Sequence, residues 1–273
     1  MRRALSSAAL LVGLASCAGS PSVRPNALEQ LPVEFGLDAA AAKGAVESFL
    51  HGYANADRDD GEELLSVTGN GKILRWAQWV GVQNRFFPGD VEGDLEVRNL
   101  QFVDFLQLPD GNLAAQVDTD ASITFQTTTV TGRSESFSRQ FVGPFILFRR
   151  DPGEWAVLDG TREGQSIDRS IYPVEKLTAE AHGVSVRLDS VFGFSPTWQV
   201  NLIVANHTGR ELSLRARDAV LTLPDGSEVR GRALAVGGSL SQIPDGPRFP
   251  GCVIFEGQDS TRGVTLKIGR AHV

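Results

Sequence analysis

Cysteine is scarce in this chain of 273 residues: Cys17 and Cys252 are its only two, too few for a disulfide framework. Membrane-spanning runs are missing as well. The amino-terminal stretch Ala8 to Ala15 is far shorter than the roughly 20 apolar residues that cross a bilayer, which argues against an uncleaved membrane anchor. Basic runs are absent too. No lysine-rich segment and no interleaving of basic with aromatic residues occurs, and the formal net charge is -7, so nucleic acid and anionic lipid head groups are poor partners. The histidines, His51, His182, His207 and His272, share no metal-ligand spacing.

What is present begins with Arg2 and Arg3, an unbroken small or apolar run, and the tetrad Leu14-Ala15-Ser16-Cys17. That is the layout of a secretory signal. The small pair before the cut is followed at once by a cysteine, and this resembles a bacterial lipobox. The resemblance implies that the Cys17 thiol receives a diacylglyceryl group, that the peptide is cut before it, and that the new amino terminus is acylated. Two or three acyl chains meet the requirement that stable anchoring takes more than one. An ordinary signal peptide, with Cys17 an incidental mature residue, is the alternative. Loss of residues 1–16 removes Arg2 and Arg3 but no acid, so the charge of -7 becomes -9. The remaining 257 or so residues, in a chain 41% hydrophobic and 22% charged, suggest two globular domains. If Cys17 carries lipid, Cys252 has no intramolecular partner; its apolar setting, Phe249-Pro250-Gly251-Cys252-Val253-Ile254-Phe255, predicts a buried, inert thiol.

Residues 17–37, with Pro21, Pro25 and Pro32, read as a lipidated tether. Asp38 then fits an N-cap, and Ala42, Val46, Phe49, Leu50 and Tyr53 recur at helical spacing up to about Asn55. A charged turn, Asp57-Arg58-Asp59-Asp60-Gly61, leads to a short helix over Glu62 to Val67. A third helix is expected from Lys72 to Phe87, stopped by Pro88-Gly89. From residue 93 the period shortens to alternation, with strands around Leu95 to Leu106, Ala114 to Thr129, Phe137 to Arg150 and Trp155 to Leu158. The turns Pro109-Asp110-Gly111-Asn112 and Asp151-Pro152-Gly153 separate them.

This order, with the closing hairpin Phe145-Ile146-Leu147-Phe148-Arg149-Arg150-Asp151-Pro152-Gly153-Glu154-Trp155-Ala156-Val157-Leu158-Asp159, resembles the nuclear transport factor 2-like domain over residues 38–165. The resemblance implies a cystatin-like α+β cone, three helices packed on a curved antiparallel sheet, also used by SnoaL-type enzymes. Residues 166–177 read as a linker. Residues 178–273 read as all-β, with alternation at Val184, Val186 and Leu188 and again at Val200, Leu202 and Val204. Three segments, Trp198 to Asn206, Leu221-Thr222-Leu223-Pro224-Asp225-Gly226 and Pro250 to Glu256, are similar to the immunoglobulin-like domain of the mycobacterial immunoprotective extracellular antigen family. The expected fold class is therefore an α+β cone followed by an all-β immunoglobulin-like sandwich, without the paired core cysteines of antibody domains.

Residues able to do chemistry are few. His51 beside Asp57, Asp59 and Asp60 would make a general base if they shared a pocket, but the helix places His51 near its polar side. The run Asp57 to Glu63 is not an EF-hand loop, because position 12 is Thr68 where a bidentate glutamate is needed. Capping of the next helix by its acids is the simpler role. Trp76, Trp79, Phe86 and Phe87, facing Phe102, Phe125, Phe141, Phe145 and Phe148, form either a packed core or a greasy pocket for an apolar molecule or lipid, to which Asn99, Gln126 and Arg139 would add polar contacts. The reading that results is a lipoprotein anchored at the extracytoplasmic face of the cell membrane through Cys17, serving as a non-catalytic protein-interaction or scaffolding module. No catalytic residue, metal ligand or cofactor is assigned. The alternatives are an apolar small-molecule or lipid ligand in the cone, or a SnoaL-type hydrolase or isomerase.

Overall fold

The computed structural model describes residues 33–56, 61–84, 92–128, 134–174, 177–194, 196–223, 225–232, 240, 242–256 and 265–268. Cys17, most of the tether, the acids Asp57, Asp59 and Asp60, Phe86, Phe87 and His272 lie outside the described residues.

Three helices open the chain: α1 (Val33–Ala54), α2 (Glu62–Ser66) and α3 (Lys72–Asn84). Along α1, Ala39, Ala42, Val46, Phe49, Leu50 and Tyr53 are buried at intervals that keep one face inward. The helix starts five residues before the expected N-cap. Asp38 thus lies inside it, largely buried, and its carboxylate pairs with Arg149 at 3.3 Å rather than capping backbone amides. Where α1 meets α2, Gly52 permits an approach no other residue allows, since a Cβ there would sit 2.4 Å from the Leu64 nitrogen.

The first sheet is an antiparallel meander of β1 (Glu92–Gln107), β2 (Leu113–Thr128), β3 (Ser134–Asp151) and β4 (Glu154–Asp159) in sequence order. Register sorts its side chains into two faces. The rows Gly93/Phe125/Phe137, Leu95/Ile123/Arg139, Val97/Ala121/Phe141 and Phe102/Val117/Phe145 share the inner face. The rows Asp94/Thr124/Ser138, Glu96/Ser122/Gln140, Asn99/Asp120/Val142 and Gln101/Asp118/Pro144 share the other. At one edge, the α2–α3 connection pairs with β4: Val157 N–H donates to the Val67 carbonyl and Gly69 N–H to that of Val157. The opposite edge is β1, which pairs with no other strand than β2 among the described residues.

A two-residue hairpin follows, β5 (Thr161–Arg162) and β6 (Gln165–Ser166), then β7 (Ile171–Pro173), β8 (Thr178–Ala181), β9 (Val184–Phe194) and β10 (Thr197–Asn206). The remaining strands are β11 (Ala219–Thr222), β12 (Glu228–Arg230), β13 (Gly246–Glu256) and β14 (Thr265–Ile268). They form a sheet of order β13-β10-β9-β7, with β8 also on β9, and a three-stranded sheet β12-β11-β14. Trp198, Val200, Leu202 and Val204 of β10 face a core completed by Leu221, Val253 and Phe255.

These observations correct the expected fold class of an α+β cone followed by an immunoglobulin-like sandwich. The protein is mainly β-sheet: 57% of its described residues lie in strands and 22% in helices, in several antiparallel sheets and with no clear helix-on-sheet cone among them. The physical reason lies in where α3 goes. Instead of closing a self-contained cone it packs toward β7 and β9, and the first core runs on without interruption through Ile167, Ile171, Phe192, Phe194 and Ile203. The β9–β10 sheet is consequently buried on both faces, whereas a sandwich sheet wets its outer one. Alternation in the sequence shows that a strand has an apolar face; it does not show that the second face is covered too.

Candidate functional site

Two polar features interrupt this apolar continuity. The first is the joint between α3 and β9. A register shift in the β9–β10 pairing, between Asn201 and Leu202, leaves Asp189 as an extra residue whose side chain turns toward α3. Trp79 Nε1–H donates to Asp189 Oδ2 at 2.7 Å and Arg75 Nη1–H to the Asp189 carbonyl at 3.0 Å. Behind it, Ser190 Oγ–H donates to Asp189 Oδ2 at 3.2 Å, and Asn201 Nδ2–H to Ser190 Oγ at 3.1 Å. One turn earlier on α3, Lys72 Nζ donates to the Asp168 carbonyl at 3.1 Å. Every polar group named here has a partner, so the joint reads as a strut.

The second feature is different in kind. At the end of α1, the Tyr53 ring stacks on Trp76 with centroids 5.3 Å apart and meets Phe125 and Phe141 edge-on at 5.7 and 5.3 Å. Phe125 stacks on Phe137 at 5.0 Å, and the Arg139 guanidinium lies 4.9 Å above the Phe137 ring. From the β5–β6 hairpin, Arg162 reaches in and lies 4.4 Å above Phe194. The hairpin holds it there at some cost: Glu163 has φ 51° and Gly164 φ 72°, both left-handed. Glu163 is fixed in that conformation by two bonds with Gln140, its N–H to the Gln140 carbonyl at 2.9 Å and its Oε1 from the Gln140 N–H at 3.2 Å.

Charge balance distinguishes this cluster from the other arginines. Arg98 pairs with Asp120 and Glu96, Arg149 with Asp38 and Arg232 with Glu256, while Arg150 donates to the Ser66 and Thr68 carbonyls. Arg162 has no such partner among the described residues, and its Nε is sealed from solvent with its hydrogen bond unmade. Burial lowers its pKa from the ordinary arginine value; Tyr53 opposes that shift, Arg139 adds to it, and Glu163 opposes it. Arg139 donates to the Ser138 carbonyl at 3.2 Å and, among the described residues, to no carboxylate. A guanidinium over an aromatic face is stabilised by about 0.5–2 kcal/mol. Taking an ion out of water costs several kcal/mol, so the aromatic contact leaves a deficit.

Of the residues singled out in the sequence, Arg139 lies on the inner face here, whereas Asn99 and Gln126 are exposed on the other face of the sheet. Trp76, Phe125, Phe141 and Phe145 are buried in the first core, and Trp79 belongs to the joint. His51, His182 and His207 are exposed on three different elements. Cys252 is buried, and burial pushes its thiol up to about 12. Sequence reasoning missed Arg162, Phe194 and Asp189. A signal for the first existed, since Glu163-Gly164 between short polar pairs is a two-residue turn.

Among the described residues no helix is long and apolar enough to cross a membrane, and no group of three or more His, Cys, Asp or Glu could hold a metal ion. No protein-family model and no curated protein matches the chain. Among solved structures, the intermembrane-space region of the chloroplast protein ARC6 is similar to 45% of this chain over 95% of its own length, with 15% identity and a TM-score of 0.35. At that score the likeness carries neither fold nor function across.

Proposed function

We propose that this is a lipid-anchored protein of the extracytoplasmic membrane face whose folded part is a non-catalytic interaction module, docking a protein partner on the first sheet. The anchor rests on the order of Arg2, Arg3, the run Ala8 to Ala15 and Leu14-Ala15-Ser16-Cys17. Residues 17–32, ahead of α1, act as the tether that lifts the module from the bilayer.

The observation that carries docking is the uneven treatment of the two sheet edges. The β4 edge is closed by backbone pairing with residues 67–69, while β1, sixteen residues long, pairs with no strand but β2 among the described residues. Val103 and Leu106 of β1 and Val142 of β3 are exposed, three of the seven exposed large hydrophobic residues among the described ones. Around them stand Asp94, Glu96, Asp104, Asp118 and Asp120, with Arg98 as the counter-charge of two. A partner strand or loop that brings apolar and basic side chains to this face meets both features.

Photo-crosslinking residues placed at Val103 or Val142 in the native cells test this. They should give one discrete protein adduct, and a probe at the exposed Ser227 should not. Adducts at neither sheet position, or equally at Ser227, would reject the docking face.

A further inference from the structure

We propose that Arg139 and Arg162 form a binding site for an oxyanion, carboxylate or phosphate, borne on an apolar body. Arg162 carries a charge that no ion pair balances among the described residues. It sits over Phe194 with its Nε buried and unbonded; Arg139 acts on it as a like charge, and the exposed Glu163 offsets less than that. Two guanidiniums near one another in aromatic surroundings repel and are poorly hydrated. An oxyanion lodged between them removes both penalties, because guanidinium donors match carboxylate and phosphate oxygens in a planar fork.

The surroundings say what the anion is attached to. Phe137 and Phe194 each lie beneath one guanidinium, and Phe125 and Tyr53 continue the surface inward. The half-buried Phe137 is the part of that surface open to an apolar chain or ring, with Tyr53 in electrostatic reach of Arg162 as a further polar group behind it. The left-handed Glu163 supplies the independent sign of a built site. A non-glycine residue is held in a strained turn beside Arg162 by two bonds to Gln140, which fixes the arginine over Phe194 instead of releasing it to water.

The test is calorimetric titration of the purified full chain, freed of bound lipid, with dodecanoate and dodecyl phosphate below their micellar concentrations. Dodecanol and inorganic phosphate serve as separate probes of the body and of the anion. Both anionic amphiphiles should bind saturably at one site, and Arg162→Gln and Arg139→Gln should each weaken them at least tenfold. Arg210→Gln, in an exposed turn, should leave binding unchanged. If Arg162→Gln does not fold, the partly exposed Arg139→Gln carries the test. Unchanged affinity in the folded arginine variants, or equal binding of dodecanol, would overturn the oxyanion site; inorganic phosphate binding as tightly as dodecyl phosphate would overturn the apolar body. Neither the Cys17 anchor nor the outer sheet face enters this experiment, so its failure is separable from failure of the tethered-module reading.

Discussion

Replacing Trp79 with phenylalanine removes three ring atoms of a buried side chain, the N–H donor among them, so the lost hydrogen bond gives a lower bound on the total loss and a double-mutant cycle isolates the bond between α3 and β9. The indole donates to Asp189 Oδ2 at 2.7 Å, and a hydrogen bond to a charged acceptor contributes about 1.5–3 kcal/mol. Asp189 retains weaker support from Ser190 Oγ at 3.2 Å and Arg187 at 3.9 Å, so the bond's share of the loss falls toward the lower end, about 1.5–2 kcal/mol. For a chain of this size each kcal/mol shifts the melting temperature by about 2–4 °C, so that share alone should make Trp79→Phe melt roughly 3–8 °C lower. Guanidinium titration followed by circular dichroism should show a lower midpoint with an unchanged slope. A double-mutant cycle with Asp189→Asn isolates the pair, and its coupling energy should be about 1.5 kcal/mol. A loss under about 0.5 kcal/mol, or a coupling near zero, would refute the reasoning that this bond ties α3 to β9.

Two glycines of α1 should respond with opposite signs. Gly44→Ala meets nothing within 4 Å and should stabilise by about 0.5–1 kcal/mol, whereas Gly52→Ala drives a Cβ into the Leu64 backbone and should destabilise by 2 kcal/mol or more; thermal melts of both check this. Cys252 should resist alkylation at pH 8 in the folded protein and react once unfolded, because a thiol pushed up to about 12 is roughly one part in ten thousand thiolate at that pH. The same shift predicts a pH dependence. The folded state holds the proton more tightly than the unfolded one, so this stability is complete below about pH 8.5 and is lost as pH rises toward 12; Cys252→Ala should lose less stability than the parent across that window in alkaline denaturation titrations.

Elements that depend on local periodicity were legible in the sequence. The helix ending near Asn55, the strands around Ala114 to Thr129 and Phe137 to Arg150, and the hairpin at Asp151-Pro152-Gly153 correspond closely to α1, β2, β3 and the β3–β4 turn. What failed needed knowledge of a second partner. Asp38 has the chemistry of a cap, and only the position of Arg149 on β3 shows why it sits inside a helix instead. Phe192, Phe194 and Ile203 fall in the stretch expected to be all-β, and nothing local to them shows that they join the same core as the helices. The arginine cluster was half visible: alternation left the direction of Arg139 open until pairing with Ile123 fixed it on the inner face. Arg162 lay in a stretch whose two-residue strands are too short for periodicity to register.

The central claim is the anchor, and Cys17→Ser tests it most directly. Membrane and soluble fractions of cells carrying either form are compared by immunoblot, with circular dichroism of the purified proteins as the folding control. The account predicts that the parent sediments with membranes and that the folded variant is released from them in soluble form. A folded Cys17→Ser protein that stays with the membrane would contradict it.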